Sequence, residues 1–144
     1  MEADDIIALA TRYIRYKRPN KNVYIVSGDN DFLQLGYDNL YFADYKKKDI
    51  IQLTKEEAKN ALQLKLINGD SSDNIPSIFP KEIKLNNMMK KNIRENKESL
   101  IEYLNKNKIA KNIYDNNKKL ISFKYIPSVY RKPVYKFVKK IINI

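Results

Sequence analysis

The 144-residue sequence contains neither cysteine nor histidine. Without cysteine there is no disulfide framework and no thiol nucleophile, and an intracellular protein is the natural expectation. Without histidine the Ser-His-Asp and Cys-His nucleophilic arrangements are excluded, along with the usual nitrogen and sulfur ligands for zinc. Any bound metal must then be an oxygen-loving ion such as magnesium or manganese. Long apolar runs are missing too. None approaches the roughly 18 residues that span a bilayer, so no membrane contact is expected. The acidic opening is unlike a secretory signal. There is no internal repeat and no linker rich in Gly or Ser.

Hydrophobic residues make up 43% of the chain, with 11 Tyr and 5 Phe, enough apolar material to offset the entropy of ordering. The length suits one domain or two packed sub-domains. The net charge of +11 is unevenly spread. Residues 1–73 carry 11 Lys+Arg against 12 Asp+Glu, whereas residues 74–144 carry 17 against 5. A carboxylate-bearing first half thus meets a second half suited to a polyanion.

Glu2-Ala3-Asp4-Asp5 opens a helix-like pattern through Ile6, Ile7, Ala10 and Ile14. Acids in that first turn also serve a helix macrodipole, so their spacing alone does not assign them to chemistry. Val23-Tyr24-Ile25-Val26 has no polar alternation and reads as a strand buried in a parallel sheet. Ser27-Gly28-Asp29-Asn30-Asp31 follows at its carboxyl end, where open α/β sheets gather their ligands, although an Asp-rich turn has the same composition. Phe32–Leu35 reads as a short helix stopped by Gly36, Leu40–Ala43 as a second strand, and Lys46–Lys48 as a solvated turn.

Thr54-Lys55-Glu56-Glu57 has the spacing of a capping box and opens a helix that ends at Asn68-Gly69. Two carboxylates then stand three residues apart in Gly69-Asp70-Ser71-Ser72-Asp73-Asn74-Ile75-Pro76. Pro76–Pro80 is expected to form a tight hairpin between short helices, with a basic helix over Lys81–Lys91. Further amphipathic segments cover Leu100–Leu104, Ile109–Leu120 and Val134–Ile142.

Seven of the 17 acids fall in three clusters: Glu2, Asp4 and Asp5; Asp29 and Asp31; Asp70 and Asp73. Brought together in a partly buried site, such carboxylates would repel one another unless cations were present. The three segments, in this order, resemble the 5′ nucleases: phage 5′→3′ exonucleases, flap endonucleases and the 5′-nuclease domain of bacterial DNA polymerase I. Lys118–Pro127 adds weaker support, being similar to a segment that follows the DNA-binding helices in many members.

The resemblance implies an α/β fold: a partial parallel-sheet, PIN-like nuclease core over residues 1–67, then an all-α helix-hairpin-helix region of the helix-three-turn-helix type over 68–144. It implies two Mg2+ or Mn2+ ions in a complete site. Glu2 and Asp4 would help bind the first ion and Asp29, Asp31, Asp70 and Asp73 the second, with Asp5 between them. Glu2, Asp4, Asp29 and Asp31 would form the catalytic set. Two such ions can activate a water and stabilise the leaving oxygen of a phosphodiester. Ser71, Ser72, Lys81, Lys84, Lys90 and Lys91 would contact DNA bearing a 5′ end, flap or junction.

Two departures accompany the resemblance. Ser77–Lys81 lacks the glycines of the family's turn, and the family's upstream half, with its first aspartate-bearing strand, has no counterpart here. The expectation is a metal-dependent 5′→3′ exonuclease or flap endonuclease whose upstream half is supplied elsewhere, for instance on a separate chain. The alternative is a DNA-binding module that no longer cuts.

Overall fold

A computed structural model describes residues 1–143; Ile144, the last residue of the second expected domain, lies outside the described residues. The fold is mixed α/β, mostly helical with one small sheet. Two compact units make it up: residues 1–61 with 123–144, and residues 62–122. This division differs from the expected boundary at residues 67 and 68. The C-terminal stretch belongs to the first unit because Phe123, Ile126, Val134 and Val138 enter the same core as Leu9, Phe32, Leu40 and Phe42.

In the first unit, α1 (Ala3–Lys17) and α6 (Arg131–Ile142) pack together, with Tyr13 and Tyr135 in ring contact at 4.8 Å. Apolar side chains recurring at helical spacing give each a buried stripe, through Ala8 and Leu9 in α1 and Val134 and Val138 in α6. Three strands follow α1: β1 (Val23–Val26), β2 (Leu40–Asp44) and β3 (Asp49–Gln52). β1 runs parallel to β2, with Val23 opposite Leu40 and Val26 opposite Ala43. β3 runs antiparallel to β2, with Phe42 opposite Ile51.

The sheet is therefore mixed, not the parallel sheet the sequence suggested. Lys46–Lys48 form the turn of a β2–β3 hairpin, and Lys48 takes a positive φ of 53° there. Asp44 organises that turn from its buried position at the end of β2, its Oδ1 accepting from the amides of Lys46 and Lys47. Those amides, Lys47's first, hold the Asp44 carboxyl below the ordinary carboxylate range.

β1 also departs from expectation. Only Ile25 is buried, while Tyr24 is 55% and Val26 71% exposed. Alternate side chains of a strand face opposite sides, and within this unit only one side of the sheet carries the core. Tyr24 stacks on Tyr41 of β2 across the other side, with ring centroids 4.9 Å apart.

α2 (Lys55–Asn68) begins at the predicted capping box. Thr54 Oγ1 accepts from the Glu57 amide, and Glu57 Oε2 accepts from the Thr54 amide and hydroxyl. The second unit is helical beyond it, with α3 (Asn87–Glu95), α4 (Lys97–Lys106) and α5 (Lys108–Ile121). Asn86 and Asn96 cap α3 and α4 by accepting from the amides of Met89 and Ser99. Ile67, Ile78, Ile93, Leu100, Tyr103 and Ala110 fill its core. Residues 76–86 form no regular helix, so the basic helix starts at Asn87 and not at Lys81. The Asn86 cap explains that start: its side chain satisfies an amide left free by the first turn.

Candidate metal- and nucleic-acid-binding residues

Glu2 and Asp5 are engaged in a helix cap. The Glu2 amide donates to Asp5 Oδ2 at 3.1 Å in a reciprocal capping box at the start of α1. The macrodipole explanation of these acids therefore has a direct structural counterpart. Asp4 lies beside them in the same first turn.

Asp29 follows β1 at the carboxyl end of the parallel pair. Its amide donates to Ser27 Oγ at 3.1 Å, and its Oδ1 accepts from the Asp31 amide at 2.8 Å. That bond caps a 3-10 helix over Asn30–Leu35, which ends at Gly36 as expected. Asp29 is exposed and Asp31 half-buried. Strand and cap together place Asp29 and Asp31 just beyond the carboxyl end of β1, where an open α/β sheet gathers its ligands.

The second pair is built differently. α2 ends at Gly69, whose φ of +70° is left-handed and whose amide donates to the Lys65 carbonyl. A Cβ there would meet the Ile75 carbonyl oxygen at 2.3 Å and the Pro76 carbonyl oxygen at 2.5 Å, so only glycine fits. Asp70 and Ile75 exchange backbone hydrogen bonds of 2.9 and 2.8 Å, closing residues 71–74 into a turn in which Asn74 is left-handed.

Asp70 Oδ1 accepts from the amide and hydroxyl of Ser72, while Oδ2 pairs with Lys65 Nζ at 2.9 Å. The Ser72 hydroxyl first and Lys65 next hold the Asp70 carboxyl down to about 2. Asp73 lies exposed in the turn. Behind the loop, buried Asn117 of α5 donates through Nδ2 to the carbonyls of Leu66, at 3.0 Å, and Pro76, at 2.9 Å.

Of the residues expected to touch DNA, Ser71, Lys81, Lys84 and Lys91 are exposed, whereas Ser72 is engaged with Asp70. Lys90 places its ammonium 5.8 Å from the centre of the Phe79 ring. Two residues were missed by sequence reasoning. Arg94 lies 5.0 Å from the same ring and donates through Nε to Asn68 Oδ1 at 2.8 Å. Its position four residues after Lys90, on the same helix face, was the available signal. Lys65 was missed because its partnership with Asp70 depends on the chain reversing at Gly69.

The donor types suit a hard divalent cation, since every candidate ligand is a carboxylate oxygen. The number of converging donors does not. Among the described residues no three acidic side chains come together in a group that could hold a metal ion. The Asp70 carboxylate, moreover, already has a cationic partner in Lys65.

No protein-family model matches the chain. Over 84 residues it is 36% identical to a 5′-3′ exonuclease of Buchnera aphidicola subsp. Schizaphis graminum, a match covering 54% of this chain and 29% of that protein. Over 83 residues it is 35% identical to DNA polymerase I of Rhizobium leguminosarum, covering 54% of this chain and 8% of that one. The matched stretch therefore spans less than a third of the length of either relative.

Among solved structures, the fold is similar to a bacteriophage T5 protein co-crystallised with metal ions, at a TM-score of 0.69 and 20% identity. That alignment covers 99% of this chain and 59% of the other. A T5 flap endonuclease in a pseudo-enzyme-product complex with DNA and metal ions matches with the same TM-score and coverage. The ordered acidic segments, the sequence likeness and the shared fold agree that this chain is related to the 5′ nucleases.

Proposed function

We propose that the chain carries part of a metal-dependent 5′→3′ exonuclease or flap endonuclease, acting on phosphodiester bonds of DNA or RNA primers. The observation that carries this reading is the 36% identity to an exonuclease over 84 residues. The strand-end placement of Asp29 and the helix-end placement of Asp70 support it. In this reading Asp29, Asp31, Asp70 and Asp73 are ligands for Mg2+ or Mn2+, and Glu2 and Asp4, with Asp5 beside them, belong to a further ion. The ungrouped carboxylates assign no hydrolytic step to this chain alone.

The duplex-binding element in this reading is a helix-hairpin-helix formed by the end of α2, the Gly69–Pro80 segment and α3. Exposed backbone around Ser71 and Ser72 would approach phosphates, and Lys81, Lys84, Lys90 and Lys91 would neutralise them. Phe79 would serve as a platform for Lys90 and Arg94, limiting how far both cations stray. DNA with a 5′ end, flap or junction is the substrate class. An upstream nuclease half on a separate chain is the partner this reading requires for full activity.

The second reading is a DNA-binding module that does not cut, favoured by the ion pair on Asp70 and the lack of grouped acids. A 5′-labelled flap substrate with magnesium or manganese separates the two. The nuclease reading expects weak release of 5′-labelled product, raised by adding the remaining part of a relative's nuclease domain and abolished by Asp31→Asn. Binding with no cleavage under either condition would establish the module instead. Neither binding nor cleavage would sink both.

A further inference from the structure

We propose that a groove on the helical unit, between α4 and α5, receives a short acidic peptide carrying a large apolar side chain. The groove is a cavity of about 280 Å3 lined wholly by residues of that unit. Its size lies just under the roughly 300 Å3 at which small-molecule and cofactor sites begin, so it suits one or two side chains.

Helical spacing makes the lining. Lys97, Ile101 and Asn105 recur every fourth residue along α4, and Lys111, Tyr114, Asp115 and Lys118 share one face of α5. Leu100, Ile101, Leu104 and Tyr114 supply an apolar floor. Ile101 is 49% exposed at its mouth, apolar surface that an entering side chain would bury.

The rim is cationic. Lys97 stands on one side, with Lys111 and Lys118 on the other. Asp115 pairs with Lys111 at 3.3 Å and with Lys118 at 3.4 Å, while the Lys118 ammonium lies 4.6 Å from the Tyr114 ring centre. Asp115 thus engages both α5 lysines, and the three lysines against one carboxylate leave the rim with an excess positive charge. An apolar centre inside a polar, charged rim is the anatomy of a protein interface. A nucleic acid backbone fits less well, since its phosphates would leave the apolar floor wet.

The probe is a blocked hexapeptide with a Leu-Phe centre flanked by two Glu on each side, titrated into the 15N-labelled full chain. Amide shifts confined to α4 and α5 are expected. At least tenfold weaker binding is expected for Ile101→Glu and, separately, for Lys97→Glu; both positions are exposed, so the fold should persist. Asp115→Asn should tighten binding severalfold, because it frees two lysines, an effect a merely structural Asp115 would not produce. Equal binding of a peptide with Gln in place of Glu, or with an Ala-Ala centre, would overturn the proposal. So would shifts located elsewhere, or displacement of the peptide by an oligonucleotide whose own binding Ile101→Glu weakens.

Discussion

The loops at Asp29 and Asp70 begin with the same local device and differ in the bonds that hold the aspartate. In each, an aspartate Oδ1 accepts from the amide two residues on, from Asp31 at 2.8 Å and from Ser72 at 2.9 Å. The bonds of Asp29 itself are short-range, to Ser27 and Asp31, and the long-range tie, from the Phe123 amide to Gln34, lies five residues further along. At Asp70 the loop is also closed by the bridge to Ile75, paired with Lys65, and tied through Pro76 to Asn117, which is 41 residues distant from Pro76 in sequence. Similar acid spacing can therefore leave an aspartate in a locally capped turn or place it in a loop whose two ends are bridged and ion-paired. Those bonds determine how strongly each loop resists mutation.

The largest effect should come from Gly69→Ala. The left-handed backbone and the contacts of 2.3 and 2.5 Å leave no room for a methyl group without moving the Ile75–Pro76 backbone. A loss of about 3 kcal/mol is expected in urea unfolding. Asp29→Ala, which removes one exposed turn bond, should cost no more than about 1 kcal/mol. Comparable losses for the two would erase the distinction.

Asn117→Ala comes next. It leaves the Leu66 and Pro76 carbonyls without their side-chain donor in a site where Asn117 is 1% exposed. An expected loss of about 2 kcal/mol follows from unsatisfied buried acceptors. Thermal unfolding would measure it, and hydrogen exchange should show the Asp70 and Ile75 amides losing protection while Asp31 keeps its own.

The smallest of these effects is electrostatic. Its partners hold the Asp70 carboxyl down to about 2 in the folded chain, below the ordinary aspartate value of 3.8, so its contribution is complete above pH about 4 and is lost as pH falls towards 2. After allowance for solvent screening, this is on the order of 1 kcal/mol. Ser72→Ala should shrink the acid-induced loss most, because its hydroxyl is the leading cause, and Lys65→Met should shrink it by less. An unchanged pH profile in both variants would remove Asp70 from the list of stabilising acids.

These contrasts mark where the sequence was readable. The capping box at Thr54 and Glu57 placed the start of α2 to the residue, and Gly69 placed its end, because both signals act through bonds within four residues. Apolar periodicity found α5 and α6 on the same footing. β3 escaped because Asp49–Gln52 is only four residues long and gains its identity from pairing with β2. The return of Phe123 to the first core escaped too: its amide donates to Gln34 Oε1 across 89 residues. For the candidate site, the order of the acids was visible, whereas Lys65 on Asp70 and the Asp5 cap arise only when the chain folds.

The measurement that bears most directly on the central reading, a nucleic-acid-binding relative of the 5′ nucleases, is the salt dependence of duplex binding by fluorescence anisotropy. If Lys81, Lys84, Lys90 and Lys91 each neutralise a phosphate, log K should fall against log salt with a slope of about −3.6. Each Lys→Ala change should reduce that slope by about 1, with little dependence on DNA sequence. A flat salt response, or a slope unchanged when all four lysines are replaced, would contradict it.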